Sequence, residues 1–370
     1  MDKMRTGFTD AATAAGVSAP LVTIVIVNYN YGEFVGQCIQ SVDQQDYSNI
    51  QCIILECAST DNSLSVIERA LGRAKNPFFR LLRRDSNRGH VINCLSTLEN
   101  TRGAFVTYLD ADDFLLPEFV STHVKAHLND LHSAALSVTD QIQVDGAGQV
   151  LAGTCHWHQK WRMVEAGTAW RDLTQARSWI SDQPYRMQEI GISRLHYVPA
   201  WWSSWLQERW IWGATSGIVF RRSVIESLAP SLEQSLAPLS AISFDGYFAR
   251  FAHSVGGTVV VDSAQGAYRR HGKNLWSSNQ LLGGQTPNSS QDGIGKFQNE
   301  QRIARHTLVT KYRDFVRLFG GDLYYSIMWQ LMPNEEFLDF ANKHEEDKAI
   351  WEKTIQNSGT AATPKQASQM

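Results

Sequence analysis

Three short apolar runs, each followed directly by polar or acidic residues, constrain the fold of this 370-residue chain most strongly. The runs are Val22–Val27, Ile50–Leu55 and Phe105–Leu109. Because they are rich in Val and Ile and each precedes a helical pattern, they predict buried parallel strands in βαβ units. Ligands of such sheets bind beyond the carboxyl ends of the strands, so we expect the polar residues after the runs to share one edge.

An acidic cluster, Asp110–Asp113, follows the third run and is the strongest chemical signal at that edge. Its three carboxylates would repel one another strongly unless a cation lay among them. The residues alone therefore predict a metal-dependent site for a ligand that carries phosphate. The alternative is an acidic turn that caps the helix expected near Pro117.

Composition narrows the class of protein. The net charge of −3 and the pI near 6.4 offer no basic surface for nucleic acid. We recognise no signal peptide and no run long enough to span a bilayer, and the five cysteines lack metal-binding or redox spacing. These features predict a cytoplasmic protein, either soluble or peripheral at the inner face of the cell membrane.

Six segments carry a resemblance to a known family. They are Val25–Tyr31, Ser59–Ser63, Asn87–Gly89, Leu109–Asp113, Ser216–Arg222 and Tyr268–Asn274. In their order and spacing they resemble the successive signatures of family 2 glycosyltransferases, over roughly residues 21–279. The resemblance implies the GT-A fold, a Rossmann-like and mostly parallel α/β sheet flanked by helices.

The same resemblance implies a function. Family members of this type transfer a sugar from a nucleotide-diphosphate sugar, with a UDP-sugar favoured here, to a hydroxyl acceptor with inversion. The implied cofactor is Mn²⁺ or Mg²⁺. The implied setting is assembly of surface polysaccharide or glycoconjugate, with a glycan or lipid-linked acceptor.

With the family in mind, the chain divides into segments of different expected character. The predicted segments are a flexible leader (1–20), the catalytic domain (21–280, with a donor half to about residue 140 and an acceptor half beyond it), a mobile loop (281–295), a helical appendage (296–356) and a disordered tail (357–370).

Residue roles on the donor side also follow from the resemblance. Asp112 is the expected metal ligand with His271, and Asp113 is expected to orient its neighbours. Arg269 and Arg270 are candidates to neutralise a diphosphate. The expected contacts of the nucleotide sugar are Asn28, Asn30, Glu56, Arg88, Asp110, Ala111 and Asp112.

Several of these roles have alternatives. Glu56 stands where the family usually has an Asp that contacts the base, and its longer side chain leaves the identity of the base open. Arg88 could contact a phosphate or form a surface salt bridge. His271 could bind metal or be structural.

Asp245 is the expected catalytic base, because an inverting transferase needs one base on the face opposite the leaving group. It begins a stretch, residues 245–253, with helical spacing of apolar residues. Phe244 replaces the first member of the family's usual acidic doublet. The alternative role of Asp245 is to cap that helix.

Nine tryptophans cluster between residues 157 and 212, and most are expected to belong to a core. Trp201, Trp202 and Trp205 are the predicted acceptor-binding or membrane-facing set. Indole rings stack on the apolar faces of sugars and also favour membrane interfaces.

The C-terminal part contains a basic amphipathic helix near Arg302–Phe319 and the aromatic segment Tyr324–Trp329. Three roles stay open for their apolar face: peripheral membrane contact, a homo-oligomer interface, and packing against the catalytic domain.

Two other functions remain as alternatives. A nucleotidyltransferase would need a basic Gly-rich loop after its first strand, and Asn28–Tyr31 is not such a loop. A non-catalytic module that binds nucleotide or glycan would lack the metal ligands, whereas Asp110, Asp112 and Asp113 are all present.

Overall fold

The computed structural model describes residues 18–130, 132–152, 195–201, 205, 211–233, 242–272, 274 and 291–359. Within these residues the chain forms a ten-stranded mixed sheet covered on both faces by helices. The strands are β1 (Val22–Asn28), β2 (Ile50–Cys57), β3 (Phe79–Arg84), β4 (Phe105–Asp110), β5 (Phe114–Leu115), β6 (Leu136–Asp145), β7 (Val150–Ala152), β8 (Leu195–Val198), β9 (Ile218–Arg221) and β10 (Thr258–Arg270).

The helices lie between the strands and at the C-terminal end. They are α1 (Val35–Asp43), α2 (Ser63–Leu71), α3 (His90–Leu95), α4 (Phe119–Asn129), α5 (Arg222–Glu233), α6 (Arg250–Gly256), α7 (Gln291–Thr310), α8 (Tyr312–Phe319), α9 (Gly321–Leu331), α10 (Asn334–Asn342) and α11 (Lys348–Gly359). None of the helices in the described part of the chain has both the length and the apolar character needed to cross a bilayer.

The sheet has a parallel part and a mixed part. Its strand order is β3-β2-β1-β4-β9-β6-β10-β5, with β7 beside β6 and β8 beside β10. The strands β3, β2, β1 and β4 are parallel. β9 is antiparallel to both β4 and β6, whereas β10 is parallel to β6. The predicted α/β sheet flanked by helices, with further helices at the C-terminal end, is confirmed.

Strand β1 shows why the parallel strands have continuous apolar sequences. Ile24 and Ile26 pack into a core with α1, α2 and α4, whereas Val25 points to the opposite face and joins a core with α3, α5 and α6. All three side chains are fully buried. A strand buried on both faces has a nearly continuous apolar sequence in place of an alternating one.

The register of the parallel strands brings the polar residues to one edge, as the sequence predicts. Strand β1 lies between β2 and β4, with Asn28 beside Glu56 and Val27 beside Asp110. Side chains that are far apart in sequence therefore meet at the carboxyl ends of these strands.

The C-terminal helices share a core with the sheet. Phe315, Tyr324 and Met328 are fully buried in the same cluster as Val25. The Tyr247 hydroxyl also hydrogen-bonds to Thr307 of α7 at 2.9 Å. Packing on the catalytic domain, one of the three roles left open, therefore accounts for the apolar face of these helices.

Three segment boundaries predicted from the sequence differ in the structure. In the predicted leader, the carbonyls of Ala19 and Pro20 accept hydrogen bonds from Asn49 and Tyr47, which tie these residues to the domain. Helix α7 already begins at Gln291, inside the predicted loop, because packing farther along a helix can override glycines near its start. Helix α11 extends to residue 359, inside the predicted tail. Residues 1–17, 275–290 and 360–370 lie outside the described parts.

Candidate functional site

Each carboxylate of the acidic cluster has a partner from a distant part of the chain. Asp113 is the most buried of the three, and its Oδ2 accepts a hydrogen bond from the Ser216 hydroxyl at 2.7 Å. Its Oδ1 accepts from the Arg269 backbone amide at 2.9 Å. Burial, together with the charges of Asp112 and Asp110, raises the pKa of Asp113 well above its usual value. Asp113 thus ties β4 to β10 through these contacts.

Asp112 faces His271, with Oδ2 and Nε2 3.0 Å apart. Burial raises the pKa of Asp112, and the hydrogen bond with His271 opposes that shift. The His271 ring packs against Phe34 at 4.9 Å between centroids and against the edge of Tyr31 at 5.7 Å. The backbone amide of His271 donates to Asn274 Oδ1 at 3.0 Å, so the turn after β10 holds the ring in place.

A divalent cation fits the pair formed by Asp112 and His271. Neighbouring ligands of an octahedral ion, each about 2.1 Å from the metal, lie about 3.0 Å apart. The Oδ2–Nε2 separation is 3.0 Å. No group of three or more His, Cys, Asp or Glu side chains suited to a metal ion occurs among the described residues. Two protein ligands suit Mg²⁺ or Mn²⁺, whose other positions are commonly filled by phosphate oxygens and water.

The two arginines before His271 are buried, each 1% exposed, and make contacts within the protein. Arg269 donates from Nε to the Asp112 carbonyl at 2.7 Å and from a terminal nitrogen to the Gly146 carbonyl at 2.9 Å. Arg270 donates to Gln143 Oε1 at 3.0 Å. These contacts help to hold the sheet edge together. Arg270 also lines the pocket that reaches His271, so a contact of these side chains with a diphosphate stays a prediction.

Glu56 directs its carboxylate into its own loop. Oε1 accepts from the Ser59 amide at 2.8 Å and Oε2 from the Ala58 amide at 3.2 Å, in a turn where Ala58 has a φ of 58°. Ser59 Oγ in turn accepts from Asn28 Nδ2 at 3.2 Å and from the Asn30 amide at 3.0 Å. The loops after β1 and β2 are therefore joined, and a base contact by Glu56 stays a prediction.

The other residues expected to contact the nucleotide sugar differ in their exposure to solvent. Arg88 is exposed in the turn before α3. The Ala111 side chain is fully buried in the apolar core, which leaves only its backbone for a ligand. Two open pockets flank Phe34, one of 390 Å³ that reaches Asn30 and one of 300 Å³ that reaches His271. They provide space along the strand ends.

His90, which the sequence analysis missed, joins the acidic cluster to the segment of Asp245. Its Nε2 lies 3.0 Å from Asp110 Oδ1, and its Nδ1 accepts from the Phe244 amide at 3.3 Å. Because Nδ1 accepts, the ring proton lies on Nε2, which is within ion-pair distance of the Asp110 carboxylate. The available signal was its position directly after Asn87–Gly89, at the first residue of α3.

Asp245 is 8% exposed and begins a π-helical turn, Asp245–Ala249, that continues into α6. Burial raises the pKa of Asp245, while a hydrogen bond from Ser243 and the charge of His90 oppose that shift. The residue at the N-cap is Phe244, whose side chain makes no cap hydrogen bond, and the Gly246 amide of the turn donates to Ser243 Oγ at 3.2 Å. The contacts thus link Asp245 to the acidic edge through His90.

The predicted tryptophan set separates into different environments. Trp205 is 1% exposed, donates from Nε1 to Ser254 Oγ at 3.1 Å and packs edge-on against Phe251. This burial corrects its assignment as a ligand-facing residue, because an indole whose N–H has a buried partner is stable inside a core. Trp201 is 74% exposed. Trp202 lies outside the described residues.

Comparisons with known proteins agree with these features. Residues 23–180 match the family model described as glycosyl transferase family 2. Chondroitin synthase of Pasteurella multocida (strain Pm70) is 30% identical over 138 residues, which are 37% of this chain and 14% of that protein. Hyaluronan synthase of Pasteurella multocida shows the same identity and the same coverage.

The match thus spans 14% of the length of both curated relatives. Among solved structures, Staphylococcus aureus TarS 1-349 in complex with UDP-GlcNAc is 12% identical, with a TM-score of 0.49 and coverage of 91% of this chain and 80% of that one. The family match covers the polar segments at the ends of β1, β2 and β4, so residues 23–180 of this chain are similar to glycosyl transferase family 2.

Proposed function

We propose that this protein transfers a sugar from a nucleotide-diphosphate sugar to a hydroxyl acceptor with inversion, using Asp245 as the base. The observation that carries the proposal is the facing pair of Asp112 and His271, 3.0 Å apart, at the carboxyl edge of the parallel strands. His90 connects that edge to the Asp245 segment.

The acidic edge is the proposed donor site. Mn²⁺ or Mg²⁺ would be held by Asp112 and His271, and when bound it would offset the charge of the departing diphosphate. The loops after β1 and β2, joined through Ser59, offer a rigid platform for the nucleotide. The proposed contacts of the nucleotide sugar are Asn28, Asn30, Glu56, Arg88, Asp110, Ala111 and Asp112.

Asp245 is proposed to accept the proton of the acceptor hydroxyl. The hydroxyl oxygen forms a bond to the anomeric carbon, the bond from that carbon to the diphosphate oxygen breaks, and the proton moves to the Asp245 carboxylate. Burial raises the pKa of Asp245, which makes the carboxylate a stronger base than an exposed one. A single in-line displacement inverts the anomeric configuration.

The names of the relatives support a polysaccharide or glycoconjugate setting, because two of them are a chondroitin synthase and a hyaluronan synthase. A UDP-sugar donor, a glycan or lipid-linked acceptor and a cytoplasmic location belong to the same proposal. Of the predicted set, Trp201 is exposed to solvent and is available to contact an acceptor. The C-terminal apolar face is packed within the domain and lends no support to membrane contact or to a homo-oligomer.

Thermal unfolding with a panel of nucleoside diphosphates, with and without Mn²⁺ or Mg²⁺, tests the donor site. We expect the nucleoside diphosphate with one particular nucleobase to raise the unfolding temperature only when metal is present. Asp112→Asn should lose that effect. Asp339→Asn, at an exposed ion pair with Lys343, is the matched control. Equal stabilisation in excess chelator would contradict the metal role.

Product analysis separates the proposal from its alternatives. A transferase releases free nucleotide when an acceptor is present, a nucleotidyltransferase releases pyrophosphate from a nucleoside triphosphate, and a binding module releases neither. NMR of the product should show an inverted anomeric centre, and a retained configuration would exclude the single-displacement mechanism.

A further inference from the structure

One imidazole ring, that of His90, lies between the acidic edge and the segment that carries Asp245. Its Nε2 lies 3.0 Å from Asp110 Oδ1, and its Nδ1 accepts a hydrogen bond from the Phe244 amide at 3.3 Å. Because the ring is rigid and planar, the two contacts also constrain the distance between the groups that they reach. A single side chain thus spans the proposed donor site and the segment of the proposed base.

The turn before α3 holds the backbone of His90 in place. Asn87 Oδ1 accepts hydrogen bonds from the Gly89 amide at 3.0 Å and from Asn93 Nδ2 at 2.8 Å. Gly89, at the N-cap of α3, has a φ of 91°, in the left-handed region that favours glycine. His90 is the first residue of the helix, so its ring extends from a support that local hydrogen bonds hold.

On the donor side, His90 faces the carboxylate of Asp110. Within the described part of the chain, His90 is the one side chain at hydrogen-bond or ion-pair distance from that carboxylate. His90 Nε2 is buried without a hydrogen bond of regular geometry to a described residue, so the negative charge of the nearby carboxylate offsets the burial of this N–H group. His90 is therefore the group that can hold the Asp110 carboxylate in one orientation.

On its other side, His90 accepts the hydrogen bond of the amide directly before Asp245. Phe244 is fully buried, and its ring packs against Tyr108 of β4 with the centroids 4.5 Å apart and is stacked on Phe248 at 4.8 Å. The ring and the amide of Phe244 are therefore both held, and the π-helical turn that begins at Asp245 starts from a fixed place. Without His90 this amide would lose its acceptor.

We propose that His90 is a positioning residue for the transfer reaction, with one ring nitrogen orienting Asp110 in the donor site and the other placing the turn that carries Asp245. This inference rests on the proposed function, because His90 acts only through Asp110 and Asp245. In this role the ring keeps the bound sugar and the base at a constant separation, which an in-line displacement requires.

Two substitutions at His90 separate the two contacts. The side chain of Gln can place an amide nitrogen near the position of Nε2, so His90→Gln keeps a donor toward Asp110 and loses the acceptor for the Phe244 amide. The shorter side chain of Asn can place an oxygen near the position of Nδ1, so His90→Asn keeps that acceptor and loses the donor toward Asp110.

Two measurements follow the two contacts. One is calorimetric binding of the nucleoside diphosphate selected by the thermal panel, with Mn²⁺ present, and the other is turnover of the corresponding nucleotide sugar. His90→Gln should lower kcat about 10-fold, because a displaced base misaligns the attacking hydroxyl, and should leave the binding affinity within about twofold. His90→Asn should weaken binding about 10-fold, because Asp110 loses its partner, and should leave kcat within about twofold.

A merely structural role predicts a different pattern. Equal losses of both quantities in the two variants, or no loss in either, would overturn the positioning role. His123→Gln is the matched control, because His123 of α4 is also buried and contacts Ser137 Oγ at 2.7 Å. This control should lower the unfolding temperature and leave kcat and binding unchanged, which separates destabilisation from positioning.

The Asp245→Asn background separates failure of this inference from failure of the proposed function. There the kcat loss caused by His90→Gln should disappear, because the ring influences kcat only through that base. A loss that persists would overturn the positioning role and leave the proposed function intact. Normal turnover of Asp245→Asn alone would instead refute the proposed base, and normal nucleotide binding by Asp110→Asn would refute the proposed donor contact.

Discussion

The parallel part of the sheet (β3, β2, β1 and β4) and the mixed part (β9, β6 and β10) bury different chemistry. In β1 the buried interior is almost entirely aliphatic. In β6 the buried side chains include Thr139, Gln141 and Gln143, and β10 buries two arginines at its end. Some of these buried polar groups are paired over long distances, as Gln143 is with Arg270 and Thr139 with His123, and such contacts help to hold the mixed part together.

This difference assigns different tasks to the two parts. The parallel part presents its chemistry in loops after the strands, where side chains can meet a solvated ligand. The mixed part carries long-range contacts such as that of Ser216 with Asp113, whereas Asp245 lies in a separate buried turn before α6, where burial and the charges of Asp110 and His90 act on its pKa. We therefore expect donor binding and proton transfer to be separable by mutation.

The largest expected effect tests that separation directly. Asp245→Asn keeps the size of the side chain but removes the proposed base, so kcat should fall about 10²–10⁴-fold. The affinity for the nucleotide sugar should stay within a few-fold of the parent. Calorimetric donor binding beside steady-state turnover measures both quantities. A variant that loses donor binding as well would mean that Asp245 and the donor site form one functional unit.

The same contrast explains what could be predicted from the sequence. Strands β1, β2 and β4 are apparent because a doubly buried strand is locally apolar, and the polar residues after them meet at one edge through parallel register. The contact between Ser216 and Asp113 joins positions 103 residues apart, and no local pattern encodes it. Composition could not separate Trp201 from Trp205 either, because only tertiary packing decides which indole is buried.

The candidate site, too, could be predicted only where a local sequence motif pointed to it. Asp112 and His271 were expected together through the family motif, and the structure brings them into contact. His90 escaped notice, because its contacts with Asp110 and with the Phe244 amide arise only from tertiary packing. The buried arginines have the residue type of phosphate ligands, yet Arg269 donates to two backbone carbonyls and Arg270 to the side chain of Gln143, contacts that no local pattern predicts.

Lowering the pH should reduce the unfolding free energy through His127 of α4, which contacts the mixed part of the sheet. Burial and the charge of Arg221 lower the pKa of His127 to about 3, and His127 Nε2 lies 3.3 Å from the Val219 carbonyl of β9. The unfolded chain takes up a proton near pH 6.5 and the folded one does not. Stability is therefore complete above about pH 6.5 and should fall by up to about 1.4 kcal/mol per pH unit toward pH 3.

Urea unfolding across this pH range measures the loss. His127→Gln should flatten the dependence, because a neutral amide can still donate to Val219 without taking up a proton. His306→Gln, at an exposed position of α7, is the matched control and should leave the slope unchanged. An equal slope in the parent and in His127→Gln would show that acid acts elsewhere in the molecule.

The junction between the parallel and mixed parts of the sheet should depend on the Ser216 hydroxyl. Ser216→Ala removes the donor to Asp113 Oδ2 and leaves a buried carboxylate oxygen without that hydrogen bond. We expect a loss of about 1–3 kcal/mol of unfolding free energy, measured by urea denaturation. Ser227→Ala removes an exposed hydroxyl on α5 and should change stability by less than about 0.5 kcal/mol. Similar losses in the two variants would argue against a special role for the junction.

The smallest expected change in stability comes from the exposed member of the tryptophan set. Trp201→Ala should shift the unfolding free energy by less than about 0.5 kcal/mol, since the indole is 74% exposed. Trp205→Ala, four positions later, should cost about 3–5 kcal/mol, because it empties a buried site. If Trp201 stacks on the acceptor, its removal should raise the KM for the acceptor about 2–10-fold while the KM for the nucleotide sugar stays constant. An unchanged acceptor KM would remove Trp201 from the site, and the acceptor would then have to be recognised by other parts of the chain.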